Sequence, residues 1–132
     1  MLIYLDSNIV IYLIEQPPAW GPRAAARMAL VHAAGDEVWI SDLTRLEARV
    51  GPLASGNHSL LARFDSFFGS GIHVQQLTAA VCDRAALIRA RHRYRLGDAL
   101  NLAAAVEASC GAFLTNDARL SGFPDIPVEV LP

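Results

Sequence analysis

The chain contains no lysine; all eleven of its basic residues are arginine. That absence excludes whole classes of chemistry. A P-loop needs a lysine to reach phosphate, and no GxxxxGK[ST] run occurs. Schiff-base and lysine-base catalysis have no residue to perform them. Cysteine is scarce as well. Cys82 and Cys110 lie in alanine-rich, helix-forming surroundings, so they are expected as buried reduced thiols rather than a disulfide framework. No Cys/His spacing resembles a zinc site. Long apolar runs are missing too: the longest, Ile9 to Ile14, falls far short of the ~18 residues that span a bilayer. The first residues lack a basic start, and Asp6 interrupts what would be the apolar stretch of a leader. The expected location is therefore the cytoplasm, with no membrane contact. A net charge of −2 argues against a protein that coats nucleic acid through bulk charge.

What is present is a core-forming chain of 132 residues, 53% hydrophobic and 18% charged, read as one domain over 1–132. Residues 1–5 read as a strand, and Ser7 or Asn8 opens a short helix to about Glu15. PPAWGP (17–22) breaks that helix, and Arg23 to Ala34 is helical again. Val38 to Ile40 is a short strand, followed by a helix capped at Ser41 or Asp42 and stopped by Gly51-Pro52. Leu53 to Ser59 is expected as a loop and Leu60 to Phe68 as an amphipathic helix. A strand at Ile72 to Gln75 leads into a long helix capped by Thr78. A further helix over about Asp98 to Ala108 precedes strands at Phe113-Leu114 and Val128 to Leu131. Short strands alternating with helices predict an α/β domain with a mainly parallel sheet.

In such sheets ligands bind beyond the carboxyl ends of the strands. Asp6 follows the first strand, and Asn116 and Asp117 follow the strand near 113–115. Asp98 starts a helix that feeds that second strand, and Glu47 lies in the helix after another. Each also has a plain structural explanation. Asp6 and Asp98 could cap helices, Thr44 and Glu47 have capping-box spacing, and Asp117 could open a helical turn. Brought to one edge, however, three or four carboxylates repel, so some must take up protons or a cation must sit among them. All-oxygen ligation suits Mg²⁺ or Mn²⁺, and a pair of such ions clamps the attacking and leaving oxygens of a phosphoryl displacement. Receiver domains and haloacid-dehalogenase-type phosphatases also place Asp after a first strand. They use a lysine beside it, and the phosphatases want a second Asp where Asn8 stands.

Four stretches, in this order over the whole length, resemble the PIN-domain ribonucleases, most closely the VapC-type toxins of toxin–antitoxin pairs: YLDSNIVIY (4–12), SDLTRLEARVG (41–51), LGDALNLAAAVEASCGAFLTND (96–117) and VEVL (128–131). The resemblance implies a sheet of four to five strands in an order near 3-2-1-4-5, flanked by helices. It implies an Mg²⁺ or Mn²⁺ pocket with Asp6, Glu47, Asp98 and Asp117 at the family's acidic positions. Ser7, Asn8, Thr115 and Asn116 fall where small polar residues orient carboxylates or phosphate. Asn101 stands where many relatives carry His or another residue and is given no catalytic role. The implied activity is metal-dependent hydrolysis of RNA, with one ion on Asp6, Asp98 and Asp117 and a second reached by Glu47.

The run RARHRYRLGD supplies Arg89, Arg91, His92, Arg93, Tyr94 and Arg95 as RNA contacts, with Arg89 and Arg93 expected on one helical face. Tyr94 could stack a base. The other reading of this run is a solvated helix end. A toxin implies a cognate antitoxin, and a homodimer is expected. Ile9 to Trp20 and the helix 60–68 are candidate contact surfaces, Trp20 as an exposed anchor or as part of the core. Two alternatives stay open: a single-strand or flap DNA nuclease, and a catalytically silent PIN-like binding module.

Overall fold

Leu2–Leu5 (β1) lies at the centre of a five-stranded parallel sheet, in a computed structural model that describes residues 1–132. The other strands are Glu37–Ser41 (β2), His73–Gln75 (β3), Ala112–Thr115 (β4) and Val128–Val130 (β5), in the order β3-β2-β1-β4-β5. The expected topology is the observed one, and every strand pair is parallel. Alternation along β1 sends side chains to two separate cores. Ile3 and Leu5 join Ile40 and Leu114 on one face, covered by Ser7–Glu15 (α1), Gly21–Ala33 (α2), Asp42–Ser55 (α3) and His58–Phe68 (α4). Tyr4 and Phe113 stack at 5.4 Å on the other, beneath Ala79–His92 (α5) and Leu96–Glu107 (α6). No helix is long and apolar enough to cross a membrane.

Several boundaries differ from the sequence reading. The helix α3 does not stop at Gly51-Pro52; it runs on to Ser55 and ends at Gly56, whose φ of 67° suits a left-handed cap. Proline removes one helical donor and crowds the carbonyl four residues back. Here Pro52 is buried, and its packing outweighs that local cost. The loop expected at 53–59 therefore shrinks to a short turn ahead of α4, which Asn57 caps by accepting from the Leu60 amide at 3.0 Å. No capping box joins Thr44 to Glu47. Ser41 is the cap, accepting from the Leu43 amide at 3.2 Å, and Asp42 is the first helical residue. Asp98 is not a cap either: α6 starts at Leu96, with Asp98 in its first turn.

The helix α5 ends at His92, because Arg93 takes a left-handed φ of 57°. Arg89 and Arg93 therefore share no helical face, and the expected alignment fails. Cys82 is exposed and Cys110 half-buried, so neither is the fully buried thiol expected. Gly21 is required by close approach: a Cβ there would lie 2.8 Å from the Gln16 Cα, where the chain folds back between α1 and α2.

Candidate functional site

The sheet's central pair, β1 and β4, ends at one edge, and a backbone bond from the Asp6 amide to the Leu114 carbonyl (2.9 Å) ties the two ends together. Asp6 also caps α1, accepting from the Ser7 amide at 2.8 Å. Its second oxygen accepts from Thr115 Oγ1 at 2.6 Å, and Asn101 Nδ2 reaches its first oxygen at 3.2 Å. Asp6 is only 6% exposed, and these three donors orient its carboxylate.

Glu47 comes to the same edge from α3, on the exposed side. Ser7 Oγ donates to Glu47 Oε1 at 2.7 Å and lies 3.4 Å from Thr44 Oγ1. Asp98 and Asp117, both half-buried, form the other flank. Asp117 accepts from the Arg119 amide at 3.0 Å, and its own amide donates to Thr115 Oγ1 at 3.1 Å. The Arg119 guanidinium pairs with Asp117 and reaches Asp98 Oδ2 at 3.4 Å. Asn8 Nδ2 meets Asn116 Oδ1 at 3.4 Å, and Asn116 Nδ2 donates to Tyr12 OH at 2.8 Å.

The electrostatics separate these groups. Burial raises the Asp6 carboxyl to about 6, helped by the nearby charges of Asp98 and Glu47 and opposed by the Thr115 and Ser7 donors. Burial also raises Asp98, with Asp117 adding to the shift and Arg119 and Arg95 opposing it. Asp117 is lowered, chiefly by its bond to Arg119. In this conformation no three of the carboxylates converge closely enough to enclose an ion. Arg119 supplies the positive charge between two of them.

The sequence reading missed four contributors: Tyr4, Thr44, Asn101 and Arg119. Asn101 had a usable signal, since it lies three residues after Asp98 on the same helix face. Arg119 had none, because an arginine two residues past Asp117 reads as an ordinary exposed residue.

The basic run lies beside this edge. Arg89, Arg91, Arg93 and Arg95 are exposed, and Arg95 is close enough to Asp98 and Asp117 to lower both. Tyr94 is less free than expected. One face stacks on His92 at 5.3 Å, both rings meet Phe123 edge-on, and Arg89 Nε donates to the Tyr94 carbonyl at 3.2 Å. Trp20 is likewise no free anchor, because it stacks on Tyr12 at 5.5 Å beneath Arg23. A cleft of about 410 Å³, lined by Met28, His32, Phe67 and His73 among others, lies at the opposite end of the sheet. The acidic edge is open surface by comparison.

This parallel α/β arrangement, with acidic residues at the ends of its two central strands, is the architecture of a PIN domain. The PIN-domain profile matches residues 3–126, and the chain belongs to that family. Its fold is similar to that of VapBC2 from Rickettsia felis bound to a promoter DNA fragment, with a TM-score of 0.82, 18% identity and 100% of each chain covered. It is also similar to a toxin–antitoxin complex from Klebsiella pneumoniae, with a TM-score of 0.77, 21% identity and 98% of each chain covered. A third similar fold is Mycobacterium tuberculosis VapC20, a sarcin–ricin loop cleaving toxin, with a TM-score of 0.71, 18% identity, and 94% of this chain and 98% of that one covered. No curated protein sequence matches the chain.

Proposed function

We propose that this protein is a metal-dependent endoribonuclease acting as the toxin of a toxin–antitoxin pair. The observation that carries the proposal is the buried Asp6 carboxylate, held by Ser7, Thr115 and Asn101 at the carboxyl edge with Glu47 and Asp98 as charged neighbours. A carboxylate placed there only as a helix cap would need one donor and no acidic company. The family and the RNA-cleaving toxin among the similar folds support the same reading.

The donor set fits Mg²⁺ or Mn²⁺: all oxygen, mostly carboxylate, with one exposed guanidinium offsetting the charge. Asp6, Asp98 and Asp117 would hold an ion, in competition with Arg119 for the last two, and Glu47 would reach a second. When bound, such an ion activates water for attack on phosphorus and offsets charge on the leaving oxygen. The protein's own part is orientation. Thr115 and the Ser7 amide fix Asp6, Ser7 Oγ tethers Glu47, and Asn8 and Asn116 place amides at the rim for a phosphate oxygen. The open edge suits a polymer, and the exposed arginines of 89–95 would carry its backbone.

The same reading puts an antitoxin on this face. The chain's apolar segment 9–14 is largely turned into the core, as are Leu60, Phe64, Phe67 and Phe68. Exposed apolar side chains beside Glu47 include Leu46, Val50 and Leu53, on one face of α3, and Leu96 at the start of α6, and the antitoxin contact is proposed there. Self-association through the same face is the proposed dimer.

RNA and DNA strands of matched sequence, incubated with protein and Mn²⁺, test the activity. RNA cleavage that stops in EDTA and in a folded Asp98→Asn variant is expected. Cleavage that survives either treatment would overturn the mechanism, and preference for DNA would move the protein to the DNA-nuclease reading. Mn²⁺ titration separates both from a silent binding module.

A further inference from the structure

Asn101 lies where the two flanks of the acidic edge meet, 2% exposed, one helical turn after Asp98. Its Nδ2 donates to Asp6 Oδ1 and to Ser7 Oγ, both at 3.2 Å, and its Oδ1 accepts from Tyr4 OH at 2.6 Å. The orientation of the amide follows from these partners. An ionised carboxylate only accepts, so the NH₂ end must face Asp6, and the phenol then gives its proton to the amide oxygen. The second amide proton occupies a lone pair of the Ser7 hydroxyl. That leaves the single hydroxyl proton of Ser7 for Glu47 Oε1, 2.7 Å away. One side chain thus aligns groups from β1, α1 and α3.

We propose that Asn101 is a positioning residue for the divalent-metal site, setting Asp6 directly and Glu47 through Ser7, with Tyr4 as its fixed anchor. The assignment rests on the metal-nuclease reading above. A core role alone accounts poorly for the arrangement. Phe in place of Tyr4 and Leu in place of Asn101 would fill the same space with no polar group to desolvate. A buried phenol and a buried amide, each satisfied by the other, make sense when the front of the amide is needed at the carboxylates. No buried polar side-chain atom in the protein lacks a partner, so the network is complete as it stands.

Mn²⁺ affinity by calorimetry, with thermal unfolding in EDTA, tests this on the wild type, Tyr4→Phe, Asn101→Leu and the double variant Tyr4→Phe/Asn101→Leu. Loss of a partner that orients a metal ligand costs roughly 10-fold to 100-fold in affinity. Asn101→Leu should lose that much and also stability, because it removes the acceptor of the Tyr4 hydroxyl proton and leaves the phenol only the Ser41 and Thr44 hydroxyls. The double variant should regain stability but not Mn²⁺ affinity, which a merely structural role would not produce. Tyr4→Phe alone keeps the amide and should lose less than about 10-fold. A stable double variant that binds Mn²⁺ like the wild type overturns the assignment while leaving the metal reading intact. Absence of Mn²⁺ binding to the wild type overturns the metal reading, and the assignment with it.

Discussion

Arg119 lays its guanidinium along the carboxylate of Asp117, with Nε 3.0 Å from both oxygens, while its far end reaches Asp98. An arginine in that place competes with any metal for the same oxygens. Arg119→Ala should therefore bind Mn²⁺ more tightly than the wild type. An exposed pair of this kind sets the gain at roughly fivefold or less. Calorimetry at low salt measures it, and a weaker affinity in the variant would show that Arg119 supports the site rather than competing for it.

Asp6 makes stability depend on pH in a direction opposite to most carboxylates. Its folded value of about 6 lies above the ordinary 3.8, so the folded state binds the proton more tightly. The contribution is fully present below about pH 4 and is lost as pH rises through 6. Asp6→Asn should remove that loss and stabilise the metal-free protein at pH 7, by about 3 kcal/mol at most. Urea unfolding in EDTA at pH 4.5 and pH 7 reads the effect. Cation binding should show the mirror image, strengthening as pH rises through the same window.

Ser7→Ala removes the hydroxyl that joins Asn101 to Glu47. One amide proton of Asn101 would then be buried without an acceptor, at a cost of about 1–3 kcal/mol. Denaturant unfolding should show that loss. Cleavage should fall further than stability explains, because Glu47 is exposed and Ser7 is the one hydroxyl bonded to it.

Arg91→Glu and Arg95→Glu should behave differently, although both residues are exposed. Arg91→Glu should weaken single-stranded RNA binding and flatten its salt dependence by about 0.7 in log–log slope for each phosphate no longer neutralised. Arg95→Glu should do this and also strengthen Mn²⁺ binding, because it replaces a positive charge beside Asp98 and Asp117 with a negative one. Equal metal affinity in the two variants would contradict the difference.

The parallel sheet and the acidic edge were legible in the sequence because both depend on residues in and next to strands, while the strand order came from the family resemblance. Asp6 and Asp117 follow β1 and β4 directly, so the parallel topology carries them to one place. Glu47 and Asp98 are placed less directly, through the helices that follow or feed strands, and the resemblance added only their roles at the ion. What was not legible depends on burial. Pro52 reads as a helix stop until its packing is known, and Arg93 reads as a helical residue until its φ is known. Asn101 looks like one more small polar residue in an alanine-rich helix. Its importance comes from Tyr4, ninety-seven positions away in the chain.

That separation has a consequence in time. β1 occupies the middle of the sheet, yet one of its neighbours is β4, and Asp6 receives its Thr115 donor across 109 positions. A growing chain exposes Asp6, Ser7 and Glu47 early, but it has no Asp98, Asn101 or Thr115 to complete the edge until most of its length is made. Synthesis itself therefore keeps the acidic edge unassembled, and any product that ends before β4 lacks both the Thr115 donor and Asp117.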